Sequence, residues 1–540
     1  MNVLIGGAWP YANGSLHIGH VAGLISGDVL ARYYRLKGDD VLYVSGSDCH
    51  GTPIAIRAKN ENIEPREITD KYHSEIVKFF TKLGFSFDNY SRTDNEFHKK
   101  EVKKIFKRIW DNGYLYPKTI EQLYCEFDEQ FLPDRYVEGI CPHCGAQARG
   151  DQCDSCTSLL DPMDLEERRC ALCGNEPVVK ETTHLYFKLS DFQEELEKFV
   201  KDAEGWRENA IKLTQRYLDE GLHDRAVTRD IDLGIQTPIE GYEDKRIYVW
   251  MEAVCGYLTA SKEWAKNHNK HWEKFWKGDN IRSYYIHGKD NVPFHSIIWP
   301  AILLAHGDLH LPDQIISSEY LTLERRKIST SQNWAVWLPD IASRYQADSI
   351  RYFIIINGPE KRDADFSWRE FVNSNNGELL GAFGNFVNRN LVFLKKSFDT
   401  KVPDGKMDDQ IKENIKALYR SAGELIEQGE FKASLEEIFA FIRDSNKYFD
   451  ERQPWVQVKE DINAANDTLY TCVQIIANLA NLVEPFTPFA AEKIKSFLQI
   501  EELSWEYIEV DRGVEIGEVE ILFERLDESI IEEELERLKN

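Results

Sequence analysis

The sequence predicts an α/β fold: a doubly wound, Rossmann-like parallel-sheet domain with a knuckle insertion, followed by an all-α helical bundle. Three observations predict it. An apolar run, Asn2–Ala8, leads through a Gly-containing turn into a long segment reaching about Leu36, and a second strand-like run, Asp40–Ser47, follows at once. Three Cys-x2-Cys pairs crowd between Cys141 and Cys173. From about Ser367 onward, apolar residues recur at helical spacing.

Residues 1–116 read as the first half of the sheet domain. Asn2–Ala8 is a buried strand, and Ser15 is placed to cap the helix that follows. In an open sheet of this kind ligands sit at the carboxyl ends of the strands, so Trp9–Gly14, Ser47–Thr52 and the loop near Trp250 are its working edges. Residues 117–226, with short segments and turns, read as an insertion. Strand-like RIYVWMEA and RSYYIHGKDN restore the α/β pattern in the second half, 227–320. A loop and stem region, 321–366, connects to a bundle over 367–515. Its helices are expected at Val372–Lys395, Asp409–Gln428, Phe431–Arg452, Asn463–Leu482 and Ala490–Leu498. Residues 516–540 are expected to form an acidic tail with a solvated helical face.

With 540 residues, 42% of them apolar and 29% charged, the chain should fold in water and divide into several domains. No apolar run approaches about 18 residues, and MNVLIGGAWPYANG carries no basic leader, so a cytoplasmic protein without membrane contact is expected. A net charge of −26 argues against DNA or any polynucleotide gripped by bulk attraction; contact with RNA must be local. In such a compartment cysteine pairs favour metal over disulfides. Cys141, Cys144, Cys153 and Cys156 supply four thiolates at tight-turn spacing, as a closed structural Zn²⁺ site requires.

In Trp9-Pro10-Tyr11-Ala12-Asn13-Gly14-Ser15-Leu16-His17-Ile18-Gly19-His20, two histidines stand three residues apart at a helix start. Backbone N–H groups and the positive helix end favour phosphate there, and Gly19 lets a nucleotide ring approach the backbone. Either histidine alone reads as a solvated or structural side chain. The whole string resembles the class I aminoacyl-tRNA synthetases, whose first signature is HIGH. The longer strings PYANGSLHIGH, DCHGTPI (Asp48–Ile54), FLPDRYVEG (Phe131–Gly139), YVWMEA (Tyr248–Ala253) and HGKDNVPFHS (His287–Ser296) resemble the methionyl branch of that family, from residue 2 to the acidic tail.

The resemblance implies that ATP and L-methionine give an adenylate, and that the methionyl group then passes to the terminal adenosine of initiator and elongator methionine tRNA. His17, His20 and Lys327 would be catalytic. Lys327-Ile328-Ser329-Thr330-Ser331 stands where the family carries KMSKS, with Thr330 in place of a lysine and Arg326 as its candidate compensator. ATP would meet Tyr11, Asn13, Gly19, His20, Gly288, Asp290, Arg326, Lys327 and Ser329, with Mg²⁺ bridging phosphate oxygens without a protein cage. Methionine would lie among Trp9, Tyr11, Asp48, Trp250, Ala253, Tyr257 and His295, its ammonium on Asp48 and its thioether against aromatic faces. Val254 and Cys255 stand where many relatives carry Pro and Ile, and Asn291 where some carry an aliphatic residue, which puts the pocket's shape in question. Cys49 and Cys255 are expected to be inert packing thiols.

Two-zinc relatives carry a further Cys-x2-Cys where this chain has Cys125 and Asp128, so a second Zn²⁺ held by Cys125, Asp128, Cys170 and Cys173 is expected, against the alternative of a degenerate, empty site; His143 and His184 are spare ligands. Anticodon contact would fall to Asn385, Arg389, Pro454 and Trp455. No appended RNA-binding barrel follows, which favours a monomer. Two other readings stay open: a class I synthetase for Val, Leu, Ile or Cys, and a non-catalytic RNA-binding protein on the same scaffold.

Overall fold

The computed structural model describes every residue except 134, 135, 151, 152, 154, 157–159, 331 and 540. Strands β1 (Asn2–Gly7), β2 (Asp40–Ser47) and β3 (Asn89–Arg92) are joined in chain order by β4 (Leu115–Cys125), β5 (Val178–Phe187), β6 (Ile281–Gly288) and β7 (Gln314–Ser318). Five of them form one parallel sheet in the order β7-β6-β1-β2-β3, with Ile5 beside both Tyr43 and Tyr284. Successive side chains of a strand point to opposite faces. Val3, Ile5 and Tyr43 accordingly enter one core with helix α1 (Ile18–Leu36), while Leu4, Leu42 and Val44 enter another, beneath Tyr257 and Leu258. With both faces covered, the strands can be apolar throughout, and all but the first residue of β1 and of β2 are buried.

Three local expectations are corrected. The N-cap of α1 is His17, not Ser15: the His17 ring accepts the Gly19 N–H, and the helix begins at Ile18. The segment read as strand-like around YVWMEA is a short strand, Arg246–Ile247, followed by helix α2 (Val249–Val254) and then α3 (Gly256–His268). Its β-branched and aromatic content suggests a strand, but the i, i+3, i+7 spacing of Trp250, Ala253 and Tyr257 makes one helical face. The acidic tail is not simply solvated. Helix Ser529–Arg537 docks through buried Ile531 and Glu534, whose carboxylate accepts from Arg344 at 2.8 Å and from the Tyr345 hydroxyl at 2.7 Å.

β4 and β5 form a long antiparallel ribbon, from Leu115 opposite Phe187 to Tyr124 opposite Val178, and the cysteine knuckles lie at its far end. They have a small core of their own, made by Leu123, Leu132, Tyr136, Val137, Leu165 and several of the cysteines. The helices Gln193–Lys201 and Glu208–Asp219 that follow β5 instead contribute Leu196, Ala210 and Leu218 to the core beneath the sheet.

The bundle is built from α4 (Asn385–Ser397), α5 (Asp409–Glu427), α6 (Phe431–Arg452), α7 (Ile462–Val483) and α8 (Pro488–Phe497). The single helix expected over Val372–Lys395 is interrupted by a π-helical stretch, Asn375–Gly384. One hydrophobic core runs from α1 into the bundle, and a buried ion pair pins it. Asp28 of α1 meets Arg351 at 2.7 Å, both fully buried, and Arg32 at 2.8 Å, while Arg32 reaches Glu484 at 2.5 Å. Burial alone would raise the Asp28 carboxyl; Arg351 and then Arg32 outweigh it and hold the group down at about 2. The bundle is thereby fixed to the helix whose other end carries the paired histidines.

Candidate active site

The first and second signatures meet. His17 forms an antiparallel bridge with Trp337; the Ile18 N–H donates to Val336 O at 2.9 Å, and the Leu338 N–H donates to Leu16 O at 2.8 Å. Ile328 packs against Gly19, where an added Cβ would lie 3.7 Å from Ile328 Cδ1 and only 2.9 Å from the His17 ring. The segment between is a hairpin: Arg326–Lys327 pairs with Leu321–Leu323 through a turn in which Glu324 and Arg325 take φ of 48° and 62°. The guanidinium of Arg326 lies 4.8 Å above the Trp334 ring and donates to Gln332, so it is held along the loop. Lys327 is exposed and pairs with no acid among the described residues. Ser329 and Trp334 exchange backbone hydrogen bonds at 2.9 Å, leaving Thr330 at the bend; Ser331 lies outside the described residues.

The two imidazoles form a reciprocal cap. His17 Nδ1 accepts from the Gly19 N–H and His20 Nδ1 from the His17 N–H, each at 3.1 Å, with ring centroids 4.0 Å apart. Burial, reinforced by His20, pushes His17 down to about 3, and burial pushes His20 to about 4. Both rings are therefore neutral at pH 7. Since each Nδ1 is an acceptor, each proton resides on Nε2, which is left as a donor at the helix start.

The strand ends bring the remaining polar groups alongside. An added Cβ on Gly23 of α1 would lie 3.7 Å from the Gly288 N at the end of β6. Asp290 accepts from the Tyr320 hydroxyl, and Lys289 pairs with Glu319 at 2.6 Å. Asn13 fixes its loop through its carbonyl, which accepts from Arg57.

Trp9, Tyr11, Asp48, Trp250, Ala253, Tyr257 and His295 line one cavity, together with Val254 and Asn291. Ala8 and Phe294 line it as well and were not anticipated. The Phe294 ring is 3.7 Å from that of Trp250; its place next to His295 in HGKDNVPFHS is the signal that could have found it. Trp9 is seated between glycines, for a Cβ at Gly46 or Gly256 would come within 2.5 or 2.6 Å of its ring. Trp250 Nε1 donates to the Tyr11 hydroxyl at 3.0 Å. Tyr11 and Asp48 form a parallel bridge. Burial pushes His295 down to about 4; its Nδ1–H donates to Asn291 O at 2.8 Å, so Nε2 accepts from the Tyr257 hydroxyl at 2.7 Å. Asn291 thus holds His295 by its backbone. Asp48 is 3% exposed, and burial followed by the charge of Glu252 pushes its carboxyl well above the usual range. A buried carboxylate in that state gains from a cationic ligand. Cys255 lies behind the pocket, its thiol buried and pushed up by burial, as is that of Cys49.

A family model described as "tRNA synthetases class I (M)" matches residues 3–391. The chain belongs to the class I methionyl-tRNA synthetase family. A second model, "Anticodon binding domain of methionyl tRNA ligase", matches residues 401–539 of this family member. Methionine–tRNA ligase 1 of Alkaliphilus oremlandii is 57% identical over 539 residues, covering 100% of both chains. Methionine–tRNA ligase of Bacillus cereus is 56% identical over 541 residues, covering 100% of this chain and 99% of that one. The fold is also that of Mycobacterium tuberculosis methionyl-tRNA synthetase bound by methionyl-adenylate, with a TM-score of 0.81 at 24% identity, over 97% of this chain and 100% of that one.

Two further clusters in this synthetase-family chain have the chemistry of metal sites. The Sγ atoms of Cys141, Cys144, Cys153 and Cys156 lie within 4.8 Å of one another, with Cys141 to Cys156 at 3.8 Å and Cys144 to Cys153 at 3.6 Å. Thiolates about 2.3 Å from a tetrahedral ion are about 3.8 Å apart. Cys125, Asp128, Cys170 and Cys173 converge equally closely: Asp128 Oδ2 is 3.3 Å from the sulfurs of Cys125 and Cys170, while its Oδ1 meets Lys59 at 3.3 Å. His143 and His184 belong to neither cluster; His184 is engaged with Thr228 and Gln122. The described cysteines form no disulfide.

On the bundle, Arg389 and Trp455 converge on Phe449, the guanidinium 4.9 Å above that ring and the indole 5.8 Å from it. Asn385 is exposed one turn before Arg389, which also pairs with Asp450 at 2.7 Å. Pro454 opens a helix, Pro454–Glu460, after Gln453 at φ 48°. Trp455 is 40% exposed, which leaves one face available to a partner.

Proposed function

We propose that the chain activates L-methionine with ATP to methionyl-adenylate and transfers the methionyl group to the 3′-terminal adenosine of methionine tRNA. The observation that carries this reading is the close approach of the two signatures, with Ile328 beside Gly19 and the segment that follows hydrogen-bonded to the start of α1, next to an aromatic cavity containing one buried carboxylate. Asp48 receives the α-ammonium, and Trp9, Trp250 and Phe294 enclose the thioether. The substrate carboxylate then attacks the α-phosphorus in line. A new carboxyl O–P bond forms as the bond to pyrophosphate breaks, and negative charge accumulates on the phosphoryl oxygens. His17 and His20 donate their Nε2–H groups to that charge, and Lys327 adds a mobile cation. Magnesium enters with the ATP phosphates and needs no further protein ligands.

The reading predicts that, of the twenty amino acids, methionine supports ATP–pyrophosphate exchange well above all others. Exchange driven instead by valine, leucine, isoleucine or cysteine would move the chain to a sister specificity, and no exchange at all would leave an RNA-binding scaffold.

Zinc suits both metal clusters, since it accepts four thiolates or a mixture of thiolates and one carboxylate oxygen. Its role is structural. Four protein donors would leave the ion no open position for an activated water, and binding worth about 10–16 kcal/mol would go into folding a knuckle with little apolar core. Two zinc ions per purified chain are expected by metal analysis, and one after Asp128→Ala. A single zinc in the unaltered protein would mean that Cys125, Asp128, Cys170 and Cys173 do not form a working site. Among the described residues no helix is long and apolar enough to cross a membrane. A monomer in the cytoplasm, where charged tRNA is consumed, completes the proposal; sedimentation at 62.8 kDa would support it.

A further inference from the structure

Behind the cavity lies more buried charge than substrate binding uses. Glu252, on α2, is fully buried; one of its oxygens meets His50 Nδ1 at 2.5 Å, and the other has no hydrogen-bond partner among the described residues. His50 is 3% exposed, two residues beyond Asp48, and its backbone N–H donates to Asp48 Oδ1 at 3.1 Å. Thr93 approaches the same oxygen at 3.5 Å. Two carboxylates and one imidazole are therefore sealed into one region.

The neighbouring charges are committed elsewhere. Asp94 is paired with Arg92 and Arg66, which also hold Asp70, and Lys262 is paired with Glu101. His98 meets Thr259 at 2.7 Å and is driven neutral, to about 3, by burial and then by His50. Cys255 is a buried neutral thiol. Burial opposes charge on His50, but Glu252, followed by Asp48 and Asp94, outweighs it and holds the imidazole above its usual range. His50 thus offsets Glu252, and Asp48 is the carboxyl left without a cation of its own. One further cation, the α-ammonium of the amino acid, balances the set, and a balanced, hydrogen-bonded group is the form in which buried charge is tolerated.

We propose that His50 and Glu252 are a buried positioning couple for amino-acid binding: His50 neutralises Glu252 and anchors Asp48 through its backbone, so that Asp48 alone presents negative charge to the substrate ammonium. The inference rests on Asp48 being the ammonium site.

The test is methionine-dependent ATP–pyrophosphate exchange by the full chain between pH 6 and 9. His50→Gln keeps the backbone donor but leaves Glu252 without its cation, which drives the Asp48 carboxyl further toward its protonated form. KM for methionine should rise about tenfold or more at neutral pH, with kcat much less affected, and the acid-side rise in KM should move to higher pH. Adding Glu252→Gln removes the surplus anion, and both KM and its pH dependence should return toward the unaltered protein. Groups that merely pack would give losses that accumulate. A double variant as impaired as His50→Gln, or a His50→Gln profile that does not move, overturns the proposal. Nitrogen shifts of labelled histidine in the unaltered protein provide a reading that needs no folded variant: the His50 ring should lose its second proton at a higher pH than a free imidazole, and a ring that loses it at a lower pH also overturns the proposal. Failure of the underlying assignment looks different, because Asp48→Asn would then leave KM for methionine unchanged.

Discussion

His20→Ala is expected to slow methionyl-adenylate formation by about 10²–10³, the usual cost of removing one preorganised transition-state donor, and Lys327→Ala by a similar factor. Removing His20 deletes an Nε2–H donor and also the Nδ1 that accepts the His17 N–H, so the cap that aims the second imidazole is loosened too. Lys327 stands beside the other side of this junction: Ile328 packs next to Gly19, and the Ile18–Val336 and Leu338–Leu16 hydrogen bonds fix the segment that follows to the start of α1. The loss should fall on kcat, since the charge being stabilised develops only in the transition state. Because burial lowers His17 to about 3 and His20 to about 4, kcat should show no limb near pH 6.5 from these rings. The sign for stability is the opposite of that for a salt-bridged histidine. The unfolded chain protonates first, so the stability held by these neutral rings is complete above about pH 6.5 and is lost as pH falls toward 4. Arg326 is stacked on Trp334 and bound to Gln332, so the proposed role of Arg326 in place of a lysine at position 330 would require it to leave both. Unchanged exchange in a doubly substituted Arg326→Ala, Lys327→Ala chain would remove the hairpin from the chemistry.

The residues that announce this site in the sequence do so because their chemistry is carried by short contiguous strings. PYANGSLHIGH, DCHGTPI and HGKDNVPFHS each supply several side chains from one strand end, and a parallel sheet gathers strand ends on one edge. What stayed hidden is what depends on neighbours distant in sequence. Ser15 has the better capping side chain in isolation, yet the bridge from His17 to Trp337 fixes the backbone two residues later and gives the cap to an imidazole. Val249 and the aromatic residues around it favour a strand locally, but the aromatic cavity demands Trp250, Ala253 and Tyr257 on one face, and a helix supplies it. Glu252 reads as an ordinary acid within YVWMEA; only folding shows that it is fully buried against His50, about two hundred positions away. The tail is similar: Glu534 belongs to an acidic run, and its partners Arg344 and Tyr345 lie in the stem.

Trp455→Ala is expected to impair aminoacylation of methionine tRNA by about tenfold to a hundredfold, equivalent to the roughly 1–3 kcal/mol of one base stacked on an aromatic ring, while leaving methionine-dependent exchange nearly unchanged. The argument begins from charge. A chain of net charge −26 cannot collect RNA by bulk attraction, so recognition must rest on a few shaped contacts. Arg389 and Trp455 both rest on Phe449, which gives an exposed indole and a guanidinium a common rigid support, with the Asn385 amide one turn away. Loop bases can be splayed out, stacked on the ring and read at their edges by such donors. Arg389 meanwhile pairs with Asp450, and an exposed pair of this kind costs little to exchange for a phosphate or a base edge. The proposed adenylate site lies at the strand ends of the parallel sheet, away from Trp455, so a contact confined to the bundle should register in tRNA charging and not in exchange. Equal losses in the two assays would make Trp455 a packing residue whose removal loosens α6 and, through the buried Asp28–Arg351 pair and its neighbours, α1 itself.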